Sequence, residues 1–223
     1  MTTFSDQMNV RLEGHVLIRE YADMDGLLAD RSAEMEANWE TEPMRDHYMR
    51  NGHGEVVMDQ RNAIHNEHAS IILARGLANR EDGSVYSMHF GSGGATIDPL
   101  GNIIFATPNT TGAADLNIPT YFEVVDDTLG APPGNQMAVR HINGTLFSDV
   151  EIRCVIDKDE PFGQQAFDNV GFNINDATLF VFDEIGLKSQ DGLLLTHITF
   201  SPIQKSANRI IEVVYTLRVR ICD

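Results

Sequence analysis

Residues 209–222 read RIIEVVYTLRVRIC, and this stretch decides the fold. Ile211, Val213, Tyr215, Leu217, Val219 and Ile221 fall on one side of an extended chain. Glu212, Thr216, Arg218 and Arg220 fall on the other, with Val214 among them. A side-chain period of two over this length predicts a strand with one buried face and one wet face. Moving outward, strand-like runs recur: VYSMHF at 85–90, NIIFAT at 102–107, TYFEVVDD at 120–127, QMAVRHI at 136–142 and TLFSDVEIRCVID at 145–157. ATLFVFDEIGLKS at 177–189 and LLLTHITF at 193–200 complete the series. Gly130–Gly134 reads as a loop, and Asn143-Gly144 is a hairpin signal between two of the runs. About eight to ten strands at short intervals predict a mainly β protein, an antiparallel β-sandwich. The connections are too short for repeated parallel crossovers.

One helix is expected to pack against the sandwich. NEHASIILARGLANREDG at 66–83 offers Asn66 as a cap. Its apolar face would be built from Ala69, Ile71, Ile72, Leu73, Ala74, Leu77 and Ala78, with stop signals at Asn79 and Asp82-Gly83. Residues 10–30 read as a strand, a turn at Asp25-Gly26 and a return. RSAEMEANWETEPMRDHYMR at 31–50 is charged, rich in Met and broken by Pro43, which predicts a short helix from about Ser32 to Glu42. A strand resumes at 54–62. The expected organisation is a single β-rich domain, 1–223, with 31–53 as an acidic helical or irregular insertion or docking arm.

The chain of 223 residues is 42% hydrophobic, enough for a sizeable core. Its longest apolar runs are too short for a membrane helix. MTTFSDQMNVRLEGH has no basic region ahead of an apolar core, so no secretory signal is expected. Thirty-three acids against sixteen Lys and Arg give a net charge of −17, which repels a phosphate backbone and argues against nucleic acid as a partner. The acid excess is concentrated early, with thirteen acids and five Lys or Arg in residues 1–60. Residues 209–223, by contrast, carry Arg209, Arg218 and Arg220 against Glu212 and Asp223. Cys154 and Cys222 form no Cys-x-x-Cys, and two unlinked thiols fit a reducing cytoplasm.

Candidate chemistry is sparse. HFGSGGATIDPLG at 89–101 has the glycines of a phosphate cradle but no Lys, and Asp98-Pro99 forbids a helix at its end. It predicts a loop with glycines at positive φ. His65 and His68 lie three apart at a helix start, where both could face one ion, and His65-x-Glu67 matches half of a zinc deaminase signature. No third ligand stands at recognisable spacing, so the histidines are expected to make ordinary polar contacts and Glu67 to favour the positive helix end. Carboxylate pairs occur at Asp25 and Asp30, Asp126 and Asp127, Asp157 and Asp159, and Asp183 and Glu184. Such pairs can serve acid–base or glycosidase chemistry, but turn and strand-end acids are the expectation. No serine stands in a G-x-S-x-G elbow and neither cysteine has an obvious histidine partner. Asn143-Gly-Thr145 matches a glycosylation sequon. No catalytic, cofactor or metal site is predicted, and the chain reads as a non-enzyme.

FGSGGATIDPLGNIIFATPNTT at 90–111 and FDEIGLKSQDGLLLTHITFSPIQKSANRIIEVVYTLRVRI at 182–221 resemble structural proteins of tailed bacteriophages. Three elements carry the resemblance: a strand running into HFGSGGAT, the FDEIGL strand with its turn at Ser189–Gly192, and the Phe200–Ser206 corner before the long last strand. Residues 31–53 match nothing in that pattern. The resemblance implies a virion protein of the tail apparatus, neck or collar rather than baseplate. It would be made in the host cytoplasm, form a symmetric ring with its own copies, and join other tail, neck or fibre proteins. It implies no cofactor, nucleic acid or membrane. Two rival functions remain open. A carbohydrate-binding module would use exposed aromatics among Trp39, Tyr48, Tyr86 and Tyr121. A metal-dependent hydrolase would use His65 and His68. Lys205, in the corner, is expected to pair with a nearby acid.

Overall fold

A computed structural model describes residues 9–36, 52–126, 136–158, 160–161 and 180–222, without the side chains of 35, 36, 221 and 222. Trp39, Pro43, Tyr48 and most of the 31–53 arm lie outside the described residues, as do Asp127, Gly130–Gly134, Asp159 and the Cys222 side chain.

The fold is a mainly β sandwich of two antiparallel five-stranded sheets. One contains β1 (Asn9–Tyr21), β2 (Glu55–Arg61), β8 (Met137–Asn143), β9 (Ser148–Ile156) and β12 (Ile210–Cys222), in the order β2-β1-β12-β9-β8. The other contains β3 (Ala63–Ile64), β4 (Val85–Gly91), β7 (Pro119–Val124), β10 (Phe180–Ser189) and β11 (Leu194–Lys205), in the order β3-β11-β10-β4-β7. β5 (Ala95–Ile97) and β6 (Ile103–Phe105) form a separate hairpin. The first and last described strands pair along their whole length, from Asn9 opposite Cys222 to Tyr21 opposite Ile210.

The alternation of the last strand is realised. Ile211, Val213, Tyr215 and Leu217 face the second sheet, with Val16 and Ile18 of β1 and Ile152, Cys154 and Ile156 of β9. Met88, Phe90, Phe182, Ile185, Leu187, Ile198 and Phe200 close the core from the opposite sheet. Burying side chains of this size supplies roughly 1.5–3 kcal/mol each before entropy is counted. Burial also pushes the Cys154 thiol pKa well up, which disfavours the reactive thiolate.

The other face of that strand is not wet where it meets the N-terminal region. Glu212 is fully buried beneath α1 (Met24–Glu36), where it accepts from Arg31, and Val214 is buried with Leu17 against Val56. This corrects two expectations. Asp25-Gly26 is no hairpin turn but lies in the first turn of α1, and the helix begins eight residues before Ser32. Asp23 Oδ1 accepts from the Gly26 amide at 2.9 Å, a typical first-turn bond. Leu27 then packs on Tyr21, Val155 and Ile210.

α2 (Asn66–Leu77) packs into the same core through Ala69 and Ile72, a narrower face than the sequence predicts. Its N-cap is His65, not Asn66: the His68 amide donates to His65 Nδ1 at 3.2 Å. Two connections also differ from expectation. β9 starts at Ser148, and the turn after Asn143 is closed by the Gly144 amide donating to the Phe147 carbonyl at 3.0 Å. β11 runs through Pro202 to Lys205, so the proline ends no strand. The pairing of β10 and β11 shifts there, Phe182 facing Ile203 but Glu184 facing Thr199, and this bulge accommodates a residue without an amide proton. Lys205 Nζ donates to the Ser206 carbonyl at 2.9 Å and lies near Glu20, whose pKa is raised by burial against the pull of Arg209 and Lys205.

The β10–β11 turn depends on Gly192, at φ 86°, whose amide donates to the Ser189 carbonyl at 3.0 Å. Left-handed backbone costs an L side chain about 1–2 kcal/mol. Gly192→Ala is therefore expected to destabilise the domain by about 1 kcal/mol, read as a lowered urea midpoint at unchanged slope.

Candidate functional site: two polar ties, an apolar cavity and an exposed hairpin

The glycine-rich loop and the Asp183-Glu184 pair belong to one structure. The amides of Gly94 and Ala95 donate to the two Asp183 oxygens at 2.7 and 3.1 Å. Glu184 Oε1 accepts from the amides of Gly93 (3.2 Å) and Ile118 (2.7 Å). Its Oε2 accepts from the Asn117 amide (2.9 Å) and from His197 Nε2 (3.0 Å). The Asn109 amide donates to His197 Nδ1 at 2.7 Å, so the ring carries its proton on Nε2. Glu184 and His197 are fully buried. Burial opposes ionisation of Glu184, but His197 and the loop amides hold its pKa below the usual range.

Amides that a phosphate would need are thus taken by the chain's own carboxylates. Gly91, Gly93 and Gly94 serve close approach rather than the positive φ expected of the stretch, which only Gly101 at its end adopts. A Cβ on Gly94 would lie 2.1 Å from the Asp183 carbonyl, and among the described residues the positive-φ glycines are Gly101, Gly112 and Gly192.

A second polar tie joins α1 to the outer face of the first sheet. Arg19 Nη2 donates to Glu34 Oε1 at 2.8 Å and to Glu212 Oε2 at 2.7 Å. Arg31 Nε donates to Glu212 Oε1 at 2.9 Å, and Arg153 bridges Glu34, Glu151 and Glu212. Burial opposes charge on Glu212, but Arg153, Arg19 and Arg31 hold its pKa low. Against the same penalty, Arg153 and Arg140 pull Glu151 down to about 2. Asp30 accepts from the Tyr21 hydroxyl and from the amides of His53 and Gly54, whereas Asp25 is exposed. The Asp25 and Asp30 pair therefore does not share a cleft.

His65 and His68 come together as a stack, ring centroids 3.6 Å apart and planes 3° from parallel. Their outer nitrogens are used: His65 Nε2 meets the Gly112 carbonyl at 3.1 Å and His68 Nδ1 the Leu194 carbonyl at 2.8 Å. Among the described residues no three His, Cys, Asp or Glu are placed to hold a metal ion. Among those residues no helix is long and apolar enough to cross a membrane. Asp126 accepts from the amides of Gln136 and Met137, which ties the end of β7 to β8. Asp157 accepts from the Lys158 amide.

Glu123, bonded to the Tyr121 hydroxyl, sits near Asp126 and Glu160. Its pKa is pushed up to about 7, first by burial and then by those two acids. Between its ordinary 4.5 and about 7 the folded state holds a proton the unfolded chain has released. The stability contributed by this group is full below the unfolded value and falls as pH rises through about 7. Glu123→Gln is expected to flatten that decline, as read from urea midpoints at about pH 5 and about pH 8.

Among the described residues, two features stand without a partner. The first is an apolar cavity of about 630 Å³ between the sheets, at the Val85 end of β4, lined by Leu12, Ile72, Val139, Leu195 and Leu217 among others. That volume lies in the range of roughly 300–1,000 Å³ typical of ligand sites. The second is the β5–β6 hairpin. Ile97 (70%), Leu100 (86%), Ile103, Ile104 and Phe105 are exposed, with Ile118 and Phe122 exposed at β7. Its turn is Asp98-Pro99-Leu100-Gly101, closed by the Gly101 amide on the Asp98 carbonyl, while the Asp98 carboxylate accepts from Leu100 and Asn102. Sequence reading split this hairpin into a helix-breaking loop and a strand. The usable signal was a type I turn pattern between Ala95-Thr96-Ile97 and the apolar Ile103-Ile104-Phe105. Tyr86 is exposed and Tyr121 half-buried among the proposed sugar-platform residues.

No protein-family model, curated protein or solved structure matches the chain.

Proposed function

We propose that the protein is a structural assembly component, the virion tail-apparatus role implied by its resemblance to tailed-phage proteins. The observation that carries the assembly reading is the β5–β6 hairpin. Its three paired positions, Ala95–Phe105, Thr96–Ile104 and Ile97–Ile103, make a ribbon too small to be stable alone in water. The hairpin strands pack against β11, and the five large apolar side chains left exposed favour burial against a neighbour. The use made of the acids supports the same reading. Asp30, Asp183, Glu184 and Glu212 all fasten loops or a helix, which suits a part that works by shape. The two motifs of the resemblance, HFGSGGAT and FDEIGL, are the halves of one tie, and that tie fixes the hairpin's base.

Co-sedimentation with tailed-phage particles tests the role. The full chain is expected to travel with the particles, and a hairpin variant carrying Ile104→Asp is expected to stay in the supernatant. A chain that ignores particles would count against the virion reading.

A further inference from the structure

We propose that His65, His68 and His197 form an acid-operated latch, which holds residues 107–114 on the outer face of the second sheet and lets them open when the rings take up protons. The latch belongs to the fold and does not depend on the virion reading. Residues 106–118, between β6 and β7, contain no helix or strand. At one end of this segment the Ala106 amide donates to the Gly94 carbonyl at 2.8 Å, and Thr199 Oγ1 donates to the Ala106 carbonyl at 3.0 Å. At the other end Glu184 accepts from the amides of Asn117 and Ile118, Lys188 pairs with Asp115 at 2.6 Å, and Leu116 is buried. Neither end rests on a histidine charge, and carboxylates ordinarily titrate about two pH units below histidine. Between the ends two histidines hold the chain. His197 Nδ1 accepts from the Asn109 amide at 2.7 Å, and His65 Nε2 donates to the Gly112 carbonyl at 3.1 Å.

Both bonds need a neutral ring. His197 donates its one N–H to Glu184 Oε2 at 3.0 Å, which leaves Nδ1 as an acceptor. A proton added there points at the Asn109 N–H, donor against donor, so the segment lets go while the ring keeps Glu184. His65 is set the same way. Its Nδ1 accepts from the His68 amide at 3.2 Å and caps α2. A proton at Nδ1 breaks the cap and drives the ring out of place, and the Gly112 bond goes with it. The His68 ring lies 3.6 Å away in a parallel stack, and both residues are buried. Among the described residues neither ring is bonded to a carboxylate; the carbonyls of Gly112 and Leu194 are their outer partners, and Glu67, in the first turn of α2, is exposed. A buried imidazolium without a counter-charge is disfavoured. The opened segment takes up protons that the closed one has no place for, so acid drives opening. Two other groups titrate differently. His89, stacked on Phe122 of β7, is pushed down to about 4, first by burial and then by Lys188. Glu123, at about 7, acts with the opposite sign, since its contribution falls as pH rises.

Histidine ring nitrogen spectra and amide exchange on the full chain test the latch. At about pH 7.5 His65 and His197 are expected to carry their proton on Nε2 and His68 on Nδ1. Between about pH 7.5 and about pH 5.5 the protection factors of the His68 and Asn109 amides are expected to fall at least about tenfold, while those of the core strands hold. His65→Asn keeps a capping oxygen that cannot take a charge. In this variant the His68 amide is expected to stay protected over the same range, with the melting temperature at neutral pH as the folding control. Rings that take up protons while both amides stay protected would overturn the latch. So would rings that stay neutral until the core strands unfold, or an equal loss of protection in wild type and His65→Asn. If the variant does not fold, the wild-type titrations decide alone: ring protonation and loss of protection must share one midpoint, and separate midpoints would overturn the proposal.

Discussion

Glu212→Leu is expected to lower the unfolding free energy by about 3–5 kcal/mol, with the urea midpoint falling at unchanged slope. Glu212 is fully buried and accepts from Arg19, Arg31 and Arg153. Removing it leaves Arg19, itself fully buried, with Glu34 as its one close carboxylate partner; Asp30 lies 3.6 Å away. An ion pair of this kind adds little net stability over a well-packed apolar pair, because desolvation offsets the attraction, but stranding one member is costly. A double-mutant cycle with Arg19→Met is therefore expected to show coupling of more than about 1 kcal/mol. The pH dependence carries a second signature. The folded-state pKa values of Glu212 and Glu151 are depressed, that of Glu151 to about 2. Their contribution is present above the ordinary glutamate value and is lost as pH falls through the folded values. The variant should lose part of this acid limb.

The second large effect is expected at Glu184. Glu184→Ala leaves the amides of Gly93, Asn117 and Ile118 without their acceptor, together with His197 Nε2. Each buried donor left unpaired costs about 1–3 kcal/mol, so a loss of about 3 kcal/mol or more is expected after relaxation. The damage should be local first. Amide exchange is expected to accelerate at Gly93, Asn117 and Ile118 before it does so in the core strands. Glu184→Gln separates charge from shape. It keeps one acceptor oxygen but turns an NH₂ toward donors, and it should recover only part of the loss. Unchanged exchange in Glu184→Ala would mean that the loops are held by something other than this carboxylate.

These two sites mark where the sequence stops being legible. The core strands were readable because their inward faces are aliphatic and strictly alternating, as in Ile211 to Leu217. α1 was misread because its inward face is polar: Leu27 is followed by Asp30, Arg31 and Glu34, at helical spacing but without the apolar stripe that marks a helix. The same charges made the facing positions of β12 look wet. Their partners come from β1, α1 and β9, far apart in the chain, and nothing local to any of them announces the network. The glycine-rich loop shows the same limit. Its glycines read as turn residues, but they make room for a strand 89 residues later in the chain, from Gly94 to Asp183. Sheet order was equally hidden, since the first described strand pairs with the last.

The account's central claim is that this sandwich is a building part that associates through exposed apolar surface. Light scattering on size-exclusion chromatography, over a range of protein concentrations, tests it most directly. The account predicts a species heavier than the 24.8 kDa monomer that grows with concentration and reverts to the monomer when Leu100 is replaced by aspartate. A mass that stays at 24.8 kDa at every concentration, with phage particles present or absent, would contradict it.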